Sequence, residues 1–348
     1  GARLGGEGEA GALGGMVPGR SEGRAVWRRA GLTPVAVTAL GAFMLIAIAV
    51  VASLLVWQNY RAALAAGEAQ AKSSAHIVAA HVEWMLEASD QALRRIDAAL
   101  GEEPVRITAG AIADIRSAAG DLPAGFQYSV YDETGLLRLS SVPEAIGFSV
   151  ADRDYFQRLR EGDTTVVSPQ LTERLSGEQV FVVARRISRG GTFHGAASIA
   201  IPTRLMDEFW SAMELGPSST VSLISADGWV VARHPQLERT IDLSATPLFT
   251  DHILRNASGV YHSPVSPADG LSRIVGYRTV DNWPLVATTG VERGEALQQF
   301  WMGFRTRLAI GLPVLVLLAA GTAWISRLLR ADAARRMELE QALERNRQ

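Results

Sequence analysis

Residues 128–139 read YSVYDETGLLRL, and residues 221–232 read VSLISADGWVVA. In both, an apolar run enters a short polar segment that ends in glycine, and apolar residues resume at once. Tyr128, Val130 and Tyr131 precede Asp132-Glu133-Thr134-Gly135, and Leu136, Leu137 and Leu139 follow. Val221, Leu223 and Ile224 precede Ala226-Asp227-Gly228, and Trp229, Val230 and Val231 follow. Apolar runs flanking a tight Asp/Gly turn predict two strand–turn–strand hairpins. Each hairpin has a downstream counterpart at the same distance. Gly135 stands as far before Arg185, in FVVARRIS, as Gly228 stands before Arg278, in IVGYRTV. A further apolar strand follows each, GAASIAIP in one case and PLVATTGV in the other. The pattern thus recurs after about 93 residues, too long a period for a solenoid, and points to two tandem copies of one unit. Each copy reads as a hairpin, a helical middle and two or three more strands, an antiparallel sheet with helices on its faces.

Upstream of the first hairpin the period changes. Val78, Val82, Met85, Ser89, Leu93, Ile96 and Leu100 recur every three or four residues, the spacing of one helix face. No proline occurs in this stretch before Pro104, and Gly67 is its only glycine, so a helix of about 40 residues is predicted. Two uncharged runs bracket the whole region. Residues 35–57 read VAVTALGAFMLIAIAVVASLLVW, and residues 308–325 read LAIGLPVLVLLAAGTAWI. A helix needs roughly 20 apolar residues to cross a bilayer, and both runs meet that length. Arg20, Arg24, Arg28 and Arg29 precede the first run, and Arg327, Arg330, Arg335, Arg336 and Arg345 follow the second. Basic residues gather on the cytoplasmic side, which puts both termini inside and the loop outside. The rival reading of the first run, a cleaved signal peptide, suits a shorter apolar core of about 7–15 residues.

The expected organisation follows from these marks. Residues 1–31, rich in Gly, Ala, Arg and Glu without apolar period, are expected to be a disordered cytoplasmic N-terminus. Residues 32–57 form the first transmembrane helix and 58–300 an extracytoplasmic sensor. Within it lie a long helix (58–100), a membrane-distal unit (101–205) and a membrane-proximal unit (206–300). Residues 304–327 form the second transmembrane helix, and 328–348 continue as a cytoplasmic signalling helix with Arg and Glu at i,i+4 spacing. The chain begins at Gly1 and stops at Gln348 within a helical pattern, as expected of a piece of a longer protein.

Composition narrows the function classes. The chain of 348 residues carries a net charge of −2, with no electrostatic footprint for nucleic acid. It has no cysteine, which excludes disulfides, thiolate metal sites and cysteine nucleophiles. Lys72 is its single lysine, the mark of an arginine-biased bacterial composition. His76 and His81 are five apart on the predicted helix and do not share a face for metal, and His194, His234, His252 and His262 lack partner spacing. No phosphate loop and no nucleophile elbow is present, and Asp132-Glu133 and Asp227 read as turn formers. No catalytic residue, cofactor or metal is expected.

The stretch DRDYF, residues 152–156, opens a short helix. Then come Val167-Ser168-Pro169, a Ser176-Gly177 turn, FVVARRIS, and GTFHG leading into AASIAIP. This ordered series resembles the double Cache (PDC-type) extracytoplasmic sensors of bacterial histidine kinases and diguanylate cyclases. IVGYRTVDNWPLVATTGV is similar to the end of their membrane-proximal unit. The resemblance spans residues 58–300 and implies an α+β fold. It comprises two tandem PAS-like (Cache) units with antiparallel sheets on a long N-terminal helix, flanked by two transmembrane helices.

It also implies a small ligand, often a carboxylate or amino acid, in the membrane-distal unit. Arg153, Tyr155 and Phe156 match the family's Arg-x-aromatic-aromatic pocket element, Arg supplying a bidentate grip on a carboxylate. Ser168 adds a candidate hydroxyl and Arg185 or Arg186 a second cation. Adjacent strand residues face opposite ways, so only one of these two arginines can point inward. Arg278 and Tyr277 are the weaker counterparts in the second unit. Tyr155-Phe156 stand where amino-acid-binding relatives carry Trp-Tyr, which leaves the ligand class open. The alternative for DRDYF is structural: Asp152 as helix N-cap, Tyr155 and Phe156 in the core, Arg153 in a salt bridge. The expected function is a homodimeric inner-membrane receptor relaying ligand state through the second transmembrane helix to a histidine kinase. A diguanylate cyclase, a chemoreceptor and a ligand-free ectodomain are the alternatives.

Overall fold

The computed structural model describes residues 33–102, 108–213, 215–237 and 240–346. The expected disorder of 1–31 lies outside them. Two compact units are present: Gly1–Ala49 with Leu312–Gln348, and Val50–Gly311.

The second unit opens on helix α1 (Pro34–Leu100), which is alanine-rich and free of proline beyond its first residue. Its predicted apolar face is fully realised, since Val78, Val82, Met85, Ser89, Leu93, Ile96 and Leu100 are all buried. A short helix α2 (Ala109–Ala119) follows, its first turn capped by the Thr108 hydroxyl, which accepts the Ala111 N–H at 3.2 Å. The hairpin β1 (Gln127–Tyr131) and β2 (Leu137–Ser140) comes next. Helix α3 (Asp154–Glu161), two short strands β3 (Thr165–Val167) and β4 (Leu171–Thr172), and the long pair β5 (Gln179–Arg189) and β6 (Thr192–Pro202) complete the first copy. Helix α4 (Thr203–Ser211) connects to the second hairpin, β7 (Thr220–Ser225) and β8 (Val230–His234). After it come α5 (Ile253–Arg255), β9 (Ser258–Ser263), β10 (Arg273–Thr279), β11 (Leu285–Glu292), α6 (Arg293–Ala296) and α7 (Gln298–Arg345).

The two sheets have one topology. Strand order is β2-β1-β6-β5-β3 in the first, with β4 also paired to β5, and β8-β7-β11-β10-β9 in the second. All pairings are antiparallel. The repeat read from the sequence holds at the level of single hydrogen bonds. The hairpin register slips between Val130 and Tyr131 in one copy and between Leu223 and Ile224 in the other. Isolated bridges join Leu136 to Ser149 and Trp229 to Asp242. Val150 N–H donates to the Gly135 carbonyl at 2.9 Å, and Leu243 N–H to that of Gly228 at 2.8 Å. Both glycines have positive φ, +85° and +97°. A Cβ on either would press on the backbone of Ala151 or Ser244, so glycine is required twice over.

Strand alternation decides what lies on each side of the sheets. Tyr128, Val130, Phe181, Val183, Ile199 and Ile201 join the core that contains the α1 face. Their neighbours Tyr131, Val180, Val182 and Ala200 pack on the other side with α3. The α1 core continues into the second sheet through Val221, Leu223, Val231 and Ala287, with Met206 and Trp210 of α4. There the helix sits directly on the strands. The Thr289 hydroxyl donates to the Ala71 carbonyl at 2.5 Å, and a Cβ on Gly276 would strike that same carbonyl. Gly67, the lone glycine of the stretch, abuts Ala296 and Ile274.

In the other unit, Gly41 of α1 stands against Thr322 of α7, where a side chain would overlap the threonine methyl. Close approach at small residues is how apolar helices associate in lipid. Both α1 and α7 are long and apolar enough to cross a membrane.

Candidate ligand-binding site

The side of the first sheet facing away from α1 is partly open. A cavity of about 100 Å³ lies between the strands and the segment that runs from β2 through α3 to the β4–β5 turn. One water needs about 10–15 Å³, so this space holds several waters or one small metabolite. Strand parity sets the floor: Ser129 and Tyr131 of β1, Val180 and Val182 of β5, Ser198 and Ala200 of β6. Arg153, Tyr155, Glu173 and Arg174 form the polar wall.

Arg153 is the N-cap residue of α3, with extended backbone and no side-chain cap. Its guanidinium donates to the Thr172 carbonyl at 3.1 Å. Among the described residues no carboxylate stands within ion-pair distance of it, so most of its five donors remain available. Arg174 is tied down instead, donating to the Ser149 carbonyl at 2.6 Å and to Asp152 at 2.5 Å. Asp152 is thus engaged by Arg174 rather than by Arg153. Tyr155 is buried against Tyr131, whose hydroxyl accepts from Ser198 at 3.5 Å. Burial pushes the Tyr155 phenol well above its ordinary range, and the neighbouring Tyr131 adds to the shift. The phenol therefore stays protonated as a fixed donor at the floor. An unpaired guanidinium above two phenols and a serine hydroxyl suits an anionic, hydrogen-bonding group.

The five predicted contacts divide. Arg153 and Tyr155 line the cavity. Phe156 is fully buried behind it, edge-on to Tyr131 and Phe193. Ser168 is spent on backbone, donating to the Pro169 carbonyl at 2.8 Å and accepting the Val182 N–H at 2.9 Å. Arg185 shares the parity of Phe181 and Val183, so it faces α1 and pairs with Asp90 at 3.1 Å. Arg186 has the cavity-side parity but lies beyond it, donating to the carbonyls of Leu159 and Arg160 at the end of α3. In the second unit Arg278 faces α1 and donates to His76 Nδ1 at 2.7 Å, while Tyr277 donates to the His252 carbonyl at 3.2 Å. Tyr131, Ser198 and Arg174 are the lining residues that sequence reasoning missed. The parity of β1 and β6 would have found the first two. Arg174 sits in a turn with no periodic signal.

Comparison with known proteins bears on the fold. A family model described as a dCache_1-like histidine kinase sensor domain matches residues 204–290. The crystal structure of the extracellular domain of rpHK1S-Z16, named as a histidine kinase, is similar at 29% identity and a TM-score of 0.60. That match covers 67% of this chain and 98% of that one. The unit has a Cache-like fold. Likeness to an extracellular sensor domain of this kind implies a membrane-anchored protein with its sensor domain outward. More distant in fold is the ligand-binding domain of the Pseudomonas fluorescens chemoreceptor CtaA, solved with L-isoleucine, at 16% identity and a TM-score of 0.46. It covers 66% of this chain and 93% of that one. The sensory domain of the Campylobacter jejuni chemoreceptor Tlp3, solved with isoleucine bound, matches at 13% identity and a TM-score of 0.45, covering 68% and 97%. No curated protein matches the chain.

Proposed function

We propose that this double Cache region binds a small carboxylate in the membrane-distal cavity and relays its occupancy through α7 to a cytoplasmic histidine kinase. The observation that carries the reading is Arg153, a guanidinium on the wall of a cavity without a carboxylate partner. The kinase output is supported by the family match and by the likeness to rpHK1S-Z16 over nearly all of that domain. A protein with two spans, both termini inside, accords with the two apolar helices and with the arginines that flank them. Ile77 and Trp84 are exposed on α1 one heptad apart, which supports α1 as the face of a homodimer. Arg153, Tyr155, Tyr131, Arg174 and Ser198 make the ligand contacts in this reading, with Phe156 bracing the wall. Ser168 and Arg185, expected as contacts, are not proposed as such because their bonds are already made within the fold.

Ligand closes the cavity by drawing α3 and the β4–β5 turn onto the sheet. It shifts the receptor only by its differential affinity for the closed and open states, and a coupling of about 1–3 kcal/mol is typical. The test is a calorimetric screen of the full chain in detergent against carboxylates and amino acids. Arg153→Ala should weaken a hit by about tenfold or more, the worth of a charge-assisted bidentate pair. A hit that binds Arg153→Ala as tightly as the parent sinks the assignment.

A further inference from the structure

The second sheet has a cavity at the corresponding place, but with different chemistry. It encloses about 60 Å³ on the side away from α1. Two arginines enter it at repeat positions that are uncharged in the first unit. Arg233 stands where the first copy has Ser140, and Arg273 where it has Val180. Both guanidiniums are deeply buried, with side chains only 8% and 5% exposed. One carboxylate serves both. Asp269 accepts from Arg273 at 2.6 Å and from Arg233 at 3.4 Å. Arg273 also donates to the carbonyls of Ser218 and Gly290, which leaves it well satisfied.

Arg233 is not satisfied. Beyond its long bond to Asp269 it donates to the Ser222 hydroxyl at 3.0 Å, and its Nε has no partner. A buried guanidinium short of acceptors is costly. Two cations against one carboxylate leave a single positive charge in excess. The rest of the lining is mixed: Ile224, Leu243, Leu248 and Val275 form an aliphatic part, and Thr246, Tyr261, Ser263 and Thr288 among others bring hydroxyls. Burial depresses the Arg233 pKa, with Arg273 adding to that and Asp269 opposing it. An added anion would relieve this.

We propose that the membrane-proximal cavity is a second binding site, for a small monocarboxylate held by Arg233. The excess charge matches a monoanion. The unpartnered Nε of Arg233 matches a carboxylate oxygen, and the aliphatic part of the lining matches a short alkyl group. At about 10–15 Å³ per water-sized volume, the space takes roughly four or five heavy atoms, the size of acetate or propionate. Phosphate and sulfate carry too much charge and no apolar part. The site is independent of Arg153 and of the membrane-distal cavity.

The experiment is thermal unfolding of the full chain in detergent with sodium acetate and sodium propionate. Sodium chloride and sodium phosphate at matched ionic strength are the controls. The expected result is a rise in Tm that saturates with carboxylate concentration, as for a ligand bound by the native state alone. The same titration on Arg153→Gln, which removes the cation of the other cavity, reads this site alone and should still show a saturating rise. Arg233→Gln should weaken the apparent affinity by about tenfold or more, the usual worth of a charged hydrogen bond. Should Arg233→Gln fail to fold, Ala268→Phe decides, because it fills the cavity from its half-buried lining segment and leaves both arginines in place. A rise that survives Arg233→Gln or Ala268→Phe in the Arg153→Gln background, or that chloride or phosphate reproduces, overturns the proposal. So does the absence of any rise in the parent.

Discussion

At the scale of single residues, side chains in this sensor are spent on holding turns and on seating α1. Asp132 is buried and accepts from the Thr134 N–H and hydroxyl, the Leu136 N–H and Arg138. Burial works to raise its pKa, but these donors outweigh it and hold the carboxyl below its usual range. Its identity as a turn former rather than a catalytic acid was legible from the Asp-x-Thr-Gly spacing alone. His76 was not legible in this way. It accepts a hydrogen bond from Arg278 across the α1–sheet contact, which requires the neutral ring. Burial, then Arg278, then Lys72 lower its pKa. The native state therefore resists protonation that the unfolded chain accepts near pH 6.5. Stability is full above that pH and falls as pH drops through about 6.5 toward the depressed native value. Proton NMR titration should place His76 below 6.5, and Arg278→Gln should move it upward. A midpoint unchanged by that substitution would refute the pairing.

At the scale of elements, α1 and the sheets are matched by small residues. Gly276 on β10 has negative φ, so its need for glycine is steric rather than conformational. Gly276→Val should cost about 1–3 kcal/mol, as overpacking does, and lower the urea midpoint accordingly. An unchanged midpoint would mean that α1 does not rest on this strand. The hairpins and the α1 face were readable because each is a local pattern, and the repeat because that pattern returns at a fixed offset. The facing of β5 was not. FVVARRIS is apolar on both sides, since one face meets α1 and the other the cavity wall. Sequence alone cannot say which parity turns toward the ligand, and so Arg185 read as a pocket cation although it binds Asp90. DRDYF is placed differently: on a short helix over the sheet, Arg153 and Tyr155 line the cavity and Phe156 packs behind it.

At the scale of the whole molecule, orientation is the property most open to direct test. The absence of cysteine gives a silent background for labelling. A Ser176→Cys variant, exposed on the β4–β5 turn, should react with an impermeant maleimide in intact cells, and Gln341→Cys on α7 should react only after lysis. The reverse pattern would invert the receptor. The shared strand order also has a consequence for how such a molecule can change. In both copies the cavity and α1 lie on opposite sides of one sheet, so in the proposed function a bound molecule acts on that helix only through the strands. In that proposal recognition falls to one set of alternating residues and transmission to the other. A substitution such as Ser140 to Arg233, seen between the copies, can therefore rewrite what is sensed while the mechanical linkage behind the strands stays as it was.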